Sequence, residues 1–169
     1  WSQAAEVVRK WQSWMPGQPD KLFTICSFGA GGGTPNVRVL GQFLGAETRL
    51  RQVVAPLGSV AGASFSFGSS SYVDAQLRWA GCLDRGYTAC HTEGTRPGGV
   101  LPRDRFAAKS DYFDKPLDAA GRQAVVSAVD RRQATPADGS GALVIDSYGG
   151  AINAVKHFHF LVARGIRLH

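Results

Sequence analysis

The sequence predicts an α+β domain, an antiparallel β-sheet with helices packed on one face. Three observations predict it. Ala4, Val7, Val8, Trp11, Trp14 and Met15 fall at the three-and-four spacing of an amphipathic helix. Two strand-like runs then follow one another across a glycine-rich connection, the pattern of an antiparallel hairpin. Beyond them, helical and strand-like segments are mixed rather than strictly alternating: helix, strand, strand, helix, helix, strand, helix, strand, strand.

Each element has its own signals. Ser2 is positioned to cap the first helix, and Pro16-Gly17 stops it. The first strand runs from Leu22 to Phe28, and Gly29-Ala30-Gly31-Gly32-Gly33 connects it to the second, where Val37, Val39, Gly41 and Phe43 alternate onto one side. Leu50, Val53, Val54 and Leu57 make a second helical stripe. A polar passage rich in glycine and serine follows from Gly58 to Ser71. Ser71-Tyr72-Val73-Asp74 then has the form of a capping box, opening a short helix through Trp79 that ends at Gly81. Gly81 to Arg105 has few periodic apolar positions and reads as an excursion, with turn chemistry at Arg96-Pro97-Gly98-Gly99. Phe106 to Ser110 is the next strand. Asp114 before Pro116 opens a long helix with Leu117, Ala120, Ala124, Val125, Ala128 and Val129 on its inner face. Ala142 to Asp146 is the strongest strand, ended by Tyr148-Gly149-Gly150, and Phe158 to Val162 is the last. No segment repeats.

Composition bounds the function. At 169 residues, with 44 % hydrophobic and 19 % charged types, the chain reads as one packed domain spanning residues 1–169. Such a domain buries a core without needing disulfides or metal. No apolar run approaches the roughly eighteen residues of a membrane span. The first residues carry neither a basic n-region nor an apolar h-region, so no signal peptide is expected. With no initiator Met, the chain reads as processed or as a piece of something longer. Both a cytoplasmic and a secreted location stay open. The net charge of +6 would suit an anionic partner, but the basic residues are scattered, so nucleic-acid binding is disfavoured against an ordinary solvated surface. Cys26 sits in an apolar run and reads as a small buried hydrophobe. Cys82 and Cys90 bracket a short loop that a disulfide closes if the compartment is oxidising.

Most motif-like features fail on their context. Gly29, Gly31 and Gly33 lack the spacing of a dinucleotide fingerprint, and a strand rather than a helix follows them. His157 and His159 share a strand face, but no third and fourth ligand has supporting spacing, so no metal is expected. Neither Gly-x-Ser-x-Gly nor His-Glu-x-x-His occurs. What remains is Asp146, which follows four apolar residues, and Tyr148 at the same parity, so that an extended strand turns both to one face. The plainer reading of this pair is a strand end entering a tight turn. Lys109, a lone cation after Phe106-Ala107-Ala108, either snorkels to water or lines a site.

Lys109-Ser110-Asp111-Tyr112-Phe113, then Pro116-Leu117, a helix, and Ile145-Asp146-Ser147-Tyr148-Gly149-Gly150-Ala151-Ile152-Asn153 together resemble the substrate domain of the berberine bridge enzyme-like oxidases, FAD enzymes of the vanillyl-alcohol oxidase class. Trp11, Trp14, the hairpin and Val39 to Gly45 extend the resemblance over about residues 1–155. It implies an antiparallel sheet roofing a flavin ring, with FAD held by a separate domain or subunit. It also implies oxidation of an alcohol, sugar or natural product, with oxygen as the final acceptor. By that resemblance Asp146 and Tyr148 are the catalytic candidates, while Lys109 and Tyr112 are the substrate-binding ones. The face turned toward the flavin is expected to carry an exposed apolar patch larger than about 400 Å², a surface through which copies of the chain could also associate. The isolated chain is expected to be inactive, because no side chain accepts a hydride. The alternative is an α+β module that binds a small molecule or protein without redox chemistry, a reading favoured by the altered tail after Val155.

Overall fold

Four α-helices and five β-strands are seen among the described residues of a computed structural model, which describes all residues except 32, 102–106, 114, 136–138, 148–158 and 165–169, with 159–164 described in backbone only. They are α1 (Ala4–Trp14), β1 (Leu22–Ala30), β2 (Asn36–Phe43), α2 (Glu47–Val54), α3 (Tyr72–Trp79), β3 (Ala108–Phe113), α4 (Ala119–Gln133), β4 (Gly141–Ser147) and β5 (His159–Arg164). The five strands form one sheet in the order β2-β1-β4-β5-β3. Every neighbouring pair is antiparallel. This is the α+β architecture expected from the sequence, with the elements in the expected order. The chain divides into two compact units, Trp1–Phe65 with Phe106–His169, and Ser66–Arg105.

In the first unit, α1 and α4 cover one face of the sheet. Ala4, Val8, Trp11 and Met15 from α1 and the turn after it meet Cys26, Phe28 and Ala30 of β1, Ile145 of β4, and Val125, Val126 and Val129 of α4. Strict alternation on β1 makes this possible, since Leu22, Thr24, Cys26, Phe28 and Ala30 are all buried while the residues between them are not. Two glutamines fix the helices. Buried Gln12 donates from Nε2 to the Leu117 carbonyl (2.8 Å) and accepts the Leu117 N–H on Oε1 (3.0 Å), pinning the approach to α4 against α1. Gln133, at the end of α4, accepts the Gly31 N–H (2.8 Å) and donates to the Gly33 carbonyl. The glycine connection of the hairpin is therefore clamped by a helix, and Gly31 and Gly33 both adopt positive φ to meet it.

Several boundaries differ from expectation. Ser2 does not cap α1: Gln3 is the N-cap residue and makes no side-chain cap bond, and Ala4 instead donates to the Trp1 carbonyl. β3 covers Ala108–Phe113 rather than starting at Phe106, which lies outside the described residues. α4 starts later than expected, with the Asp118 carboxylate accepting the Gly121 N–H (2.7 Å) as the N-cap. Val125 and Val129 face inward as expected, joined by Val126, while Ala120 and Ala124 are exposed. The valine ridge buries more apolar area than the alanines would.

At the end of β4 the backbone pairing with β1 is continued by a side chain. Ser147 Oγ donates to the Thr24 carbonyl (2.8 Å) and accepts the Thr24 N–H (3.1 Å), and both residues are buried. Ser147→Ala strips two buried backbone groups of their partner and is expected to destabilise the protein by about 1–3 kcal/mol. Chemical denaturation reads this as a lowered midpoint, and an unshifted midpoint would show that the hydroxyl is dispensable.

Cys26 is the free, buried cysteine, and burial pushes its thiol up to about 12 from an ordinary 9.0. Between those values the unfolded chain loses the proton while the folded one keeps it. Stability is therefore whole below pH 9.0 and falls above it by up to about 1.4 kcal/mol per pH unit. Denaturant melts at about pH 8 and about pH 10 should show a steeper loss for the native protein than for Cys26→Ala. Equal slopes would contradict a buried thiol.

The Ser66–Arg105 unit is built on α3. Ser71 Oγ accepts the Asp74 N–H (3.1 Å) and donates to the Asp74 carboxylate (2.8 Å), so the expected cap is present. At the other end Gly81, at φ +70, closes a Schellman motif: Cys82 N–H reaches the Leu77 carbonyl and Gly81 N–H the Arg78 carbonyl. Cys82 and Cys90 form a disulfide.

Candidate functional site

The candidate site lies on the sheet face opposite α1 and α4. Strand registry places its residues in rows. Leu40 pairs with Ile25, Ile25 with Asp146, Asp146 with Phe160, and Phe160 with Tyr112. The row thus crosses all five strands and sets Asp146 and Tyr112 on one face, two strand spacings or about 10 Å apart. The next row runs from Arg38 through Ser27 to Val144 and on to Ser110 by way of Val162. Phe23 and Gln42 pair beyond Ile25 and Leu40.

This face mixes apolar and polar residues, with Ile25, Ser27, Val144 and Asp146 on the central strands β1 and β4. Phe23 is 39 % exposed, Leu40 42 % and Tyr112 61 %, while Ile25, Ser27 and Val144 are half-buried. Asp146 is half-buried among them. A carboxylate held beside Ile25 and Val144 offers a proton-accepting group where water becomes sparse once anything covers the face. Arg38 adds an exposed cation one row away, on the outer strand.

Of the four residues singled out from sequence, Asp146 and Tyr112 are brought to one face. Lys109 is not with them. It pairs with Ala163, and Ala163 with Leu143, which packs against the helix-covered core. Lys109 therefore belongs to the opposite face, where it is exposed at the sheet edge. Tyr148 lies outside the described residues. Sequence reading passed over Ile25, Arg38 and Leu40, although the alternation that assigned Val37 and Val39 to the core also assigns Arg38 and Leu40 to the other side. Among the described residues no cluster of three or more His, Cys, Asp and Glu side chains is placed to hold a metal ion. His157 and the side chain of His159 lie outside them. Among the described residues no helix is long and apolar enough to cross a membrane.

The architecture defines a class: among the described residues of the first unit, a five-stranded antiparallel sheet with two helices packed on one face. No protein-family model matches the chain, and no curated protein matches it by sequence. Solved structures do match in fold. Wild-type BBE-like 1 from Physcomitrella patens superposes with a TM-score of 0.70 at 19 % identity, over 98 % of this chain and 36 % of that one. Berberine bridge enzyme, in a variant complexed with (S)-reticuline, gives 0.73 at 15 % identity, over 99 % of this chain and 33 % of the other. 6-Hydroxy-D-nicotine oxidase from Arthrobacter nicotinovorans gives 0.57 at 17 % identity, over 96 % and 35 %. The chain is thus similar over nearly its whole length to part of berberine bridge enzyme and its BBE-like relatives. It spans about a third of the length of these structures.

Proposed function

We propose that this chain is the substrate-binding part of an FAD-dependent oxidoreductase that oxidises an alcohol, a sugar or another natural product, with oxygen as the final acceptor. The observation that carries the reading is the combination of a fold covering one third of berberine bridge enzyme with a sheet face, opposite α1 and α4, that presents Asp146 and Tyr112 together.

The residues present fit a cover for a flavin ring rather than its anchor. Ile25, Leu40 and Val144 offer apolar surface to a planar group. A pyrophosphate cradle would need free backbone N–H groups at a helix N-terminus, whereas the glycine connection joins two strands and its Gly31 N–H is held by Gln133. The remaining two thirds of such an enzyme is therefore the proposed partner, an FAD-binding domain or subunit. When bound, FAD supplies the hydride acceptor that no side chain provides.

The chain's own part is to bind and deprotonate. Asp146 accepts the proton of the substrate hydroxyl or amine as the neighbouring C–H bond is broken. Tyr112, about 10 Å away across the row, supports the far side of the substrate. Tyr148 is proposed as the second catalytic residue. Lys109 takes no part on this face. The test is the visible absorption spectrum of the full-length protein purified with its native flanking sequence. Bound flavin, bleached on adding a substrate alcohol or amine under anaerobic conditions, is expected. A colourless protein that gains no flavin, with a small molecule or protein bound on the same face, would establish the binding-module alternative instead.

A further inference from the structure

We infer that the Cys82–Cys90 disulfide is the closure of the Ser66–Arg105 unit and makes its order dependent on redox state: the unit is held in an oxidising compartment and released by a dithiol reductant. The inference stands on this unit alone and does not require the flavin reading.

Among the unit's described residues the buried hydrophobic ones are Leu77 and Cys82. A segment of about 40 residues with so small a core ordinarily needs a covalent staple. The backbone hydrogen bonds on either side of the bridge are local. Arg85 and Gly86 N–H groups turn back to the Cys82 carbonyl, and Cys90 N–H turns back to that of Tyr87. Beyond Cys90, Val100 N–H reaches the Ala89 carbonyl and Leu101 N–H reaches that of His91, making a small bridged loop through Thr92 and Leu101. The disulfide therefore joins two local pieces, the capped end of α3 and the loop of residues 87–101. Each piece displays apolar surface: Tyr72, Val73, Trp79 and Leu83 on the first, Tyr87 on the second.

The geometry also directs the chemistry. Cys82 is fully buried, whereas Cys90 is half-buried, so an incoming thiolate attacks the Cys90 sulfur and expels Cys82 as the leaving thiolate. The second thiol of the reductant then displaces Cys90. The reductant ends as a disulfide, and Cys82 and Cys90 end as thiols, with two electrons and two protons transferred. Cys26, in the core of the other unit with its thiol held protonated by burial, does not exchange with either sulfur.

The experiment is hydrogen–deuterium exchange on the purified chain, oxidised and after treatment with dithiothreitol, with the state of each cysteine fixed by alkylation and mass. Closing so short a loop confines the opened ensemble enough that reduction is expected to speed exchange at Cys82, Arg85, Cys90, Val100 and Leu101 by roughly tenfold to a hundredfold. Amides of β1 and β4 should keep their rates. Cys82→Ser/Cys90→Ser should reproduce the reduced pattern without any reductant. Two results would overturn the inference: unchanged protection in the fully reduced protein, or Cys82 and Cys90 found as free thiols in protein prepared under non-reducing, oxidising conditions.

Discussion

Asp146→Asn, introduced into the flavin-loaded full-length protein, is expected to slow substrate oxidation by about 10²–10⁴-fold, the range typical of losing a general base. Asparagine keeps the size and the capacity to hydrogen-bond, so the row from Leu40 through Ile25 to Tyr112 should remain in register and the stability should change little. The visible flavin spectrum should be retained. Anaerobic stopped-flow measurement of flavin reduction separates the steps. The loss should appear in the reductive half-reaction, with reoxidation by oxygen unaltered. A matching loss of flavin content would instead mean that Asp146 supports the cover and takes no part in the chemistry. Tyr112→Phe, on the same face, should chiefly raise KM, because its hydroxyl is proposed to touch the substrate away from the reacting carbon.

The largest effect on stability should come from Trp11→Ala. Trp11 is wholly buried at the centre of the core that α1, α4 and the sheet share. Replacing it is expected to cost about 3–5 kcal/mol in lost burial and cavity formation. It also begins a polar chain. Trp11 Nε1 donates to Thr24 Oγ1 (2.9 Å), that hydroxyl donates to Met15 Sδ (3.0 Å), and the Thr24 backbone is held by Ser147. Trp11→Phe keeps most of the apolar volume but leaves Thr24 without its donor, so an intermediate loss is expected. Denaturant midpoints for the native protein, the Phe variant and the Ala variant should fall in that order. A Phe variant as unstable as the Ala one would show that the hydrogen bond, not the volume, is what matters.

Local patterns carried most of the fold. The apolar stripe from Ala4 to Met15 and the alternation through Val37 and Val39 are written in neighbouring residues, so helix and hairpin were legible without tertiary information. The Ser71 cap and the Gly81 stop were legible for the same reason. The composition of the site was harder, because it depends on which strand lies beside which. That Asp146 pairs with Ile25, more than a hundred residues earlier, and reaches Tyr112 only through the late insertion of β5, follows from long-range pairing that no local window contains. The grouping of Lys109 with Tyr112 shows the same limit from another side. The two are three residues apart, which on a strand sets them on opposite faces. Ending that strand at Ser110 concealed the consequence, and extending it to Phe113 reveals it.

The proposed function requires that the face bearing Asp146 and Tyr112, and not the helix-covered face bearing Lys109, be the one a flavin-binding partner covers. Chemical footprinting of the full-length holoprotein against the chain alone tests it in one comparison. Iodination should be suppressed at Tyr112 in the holoprotein while acetylation of Lys109 proceeds at the same rate in both. Protection of Lys109 together with undiminished labelling of Tyr112 would contradict it.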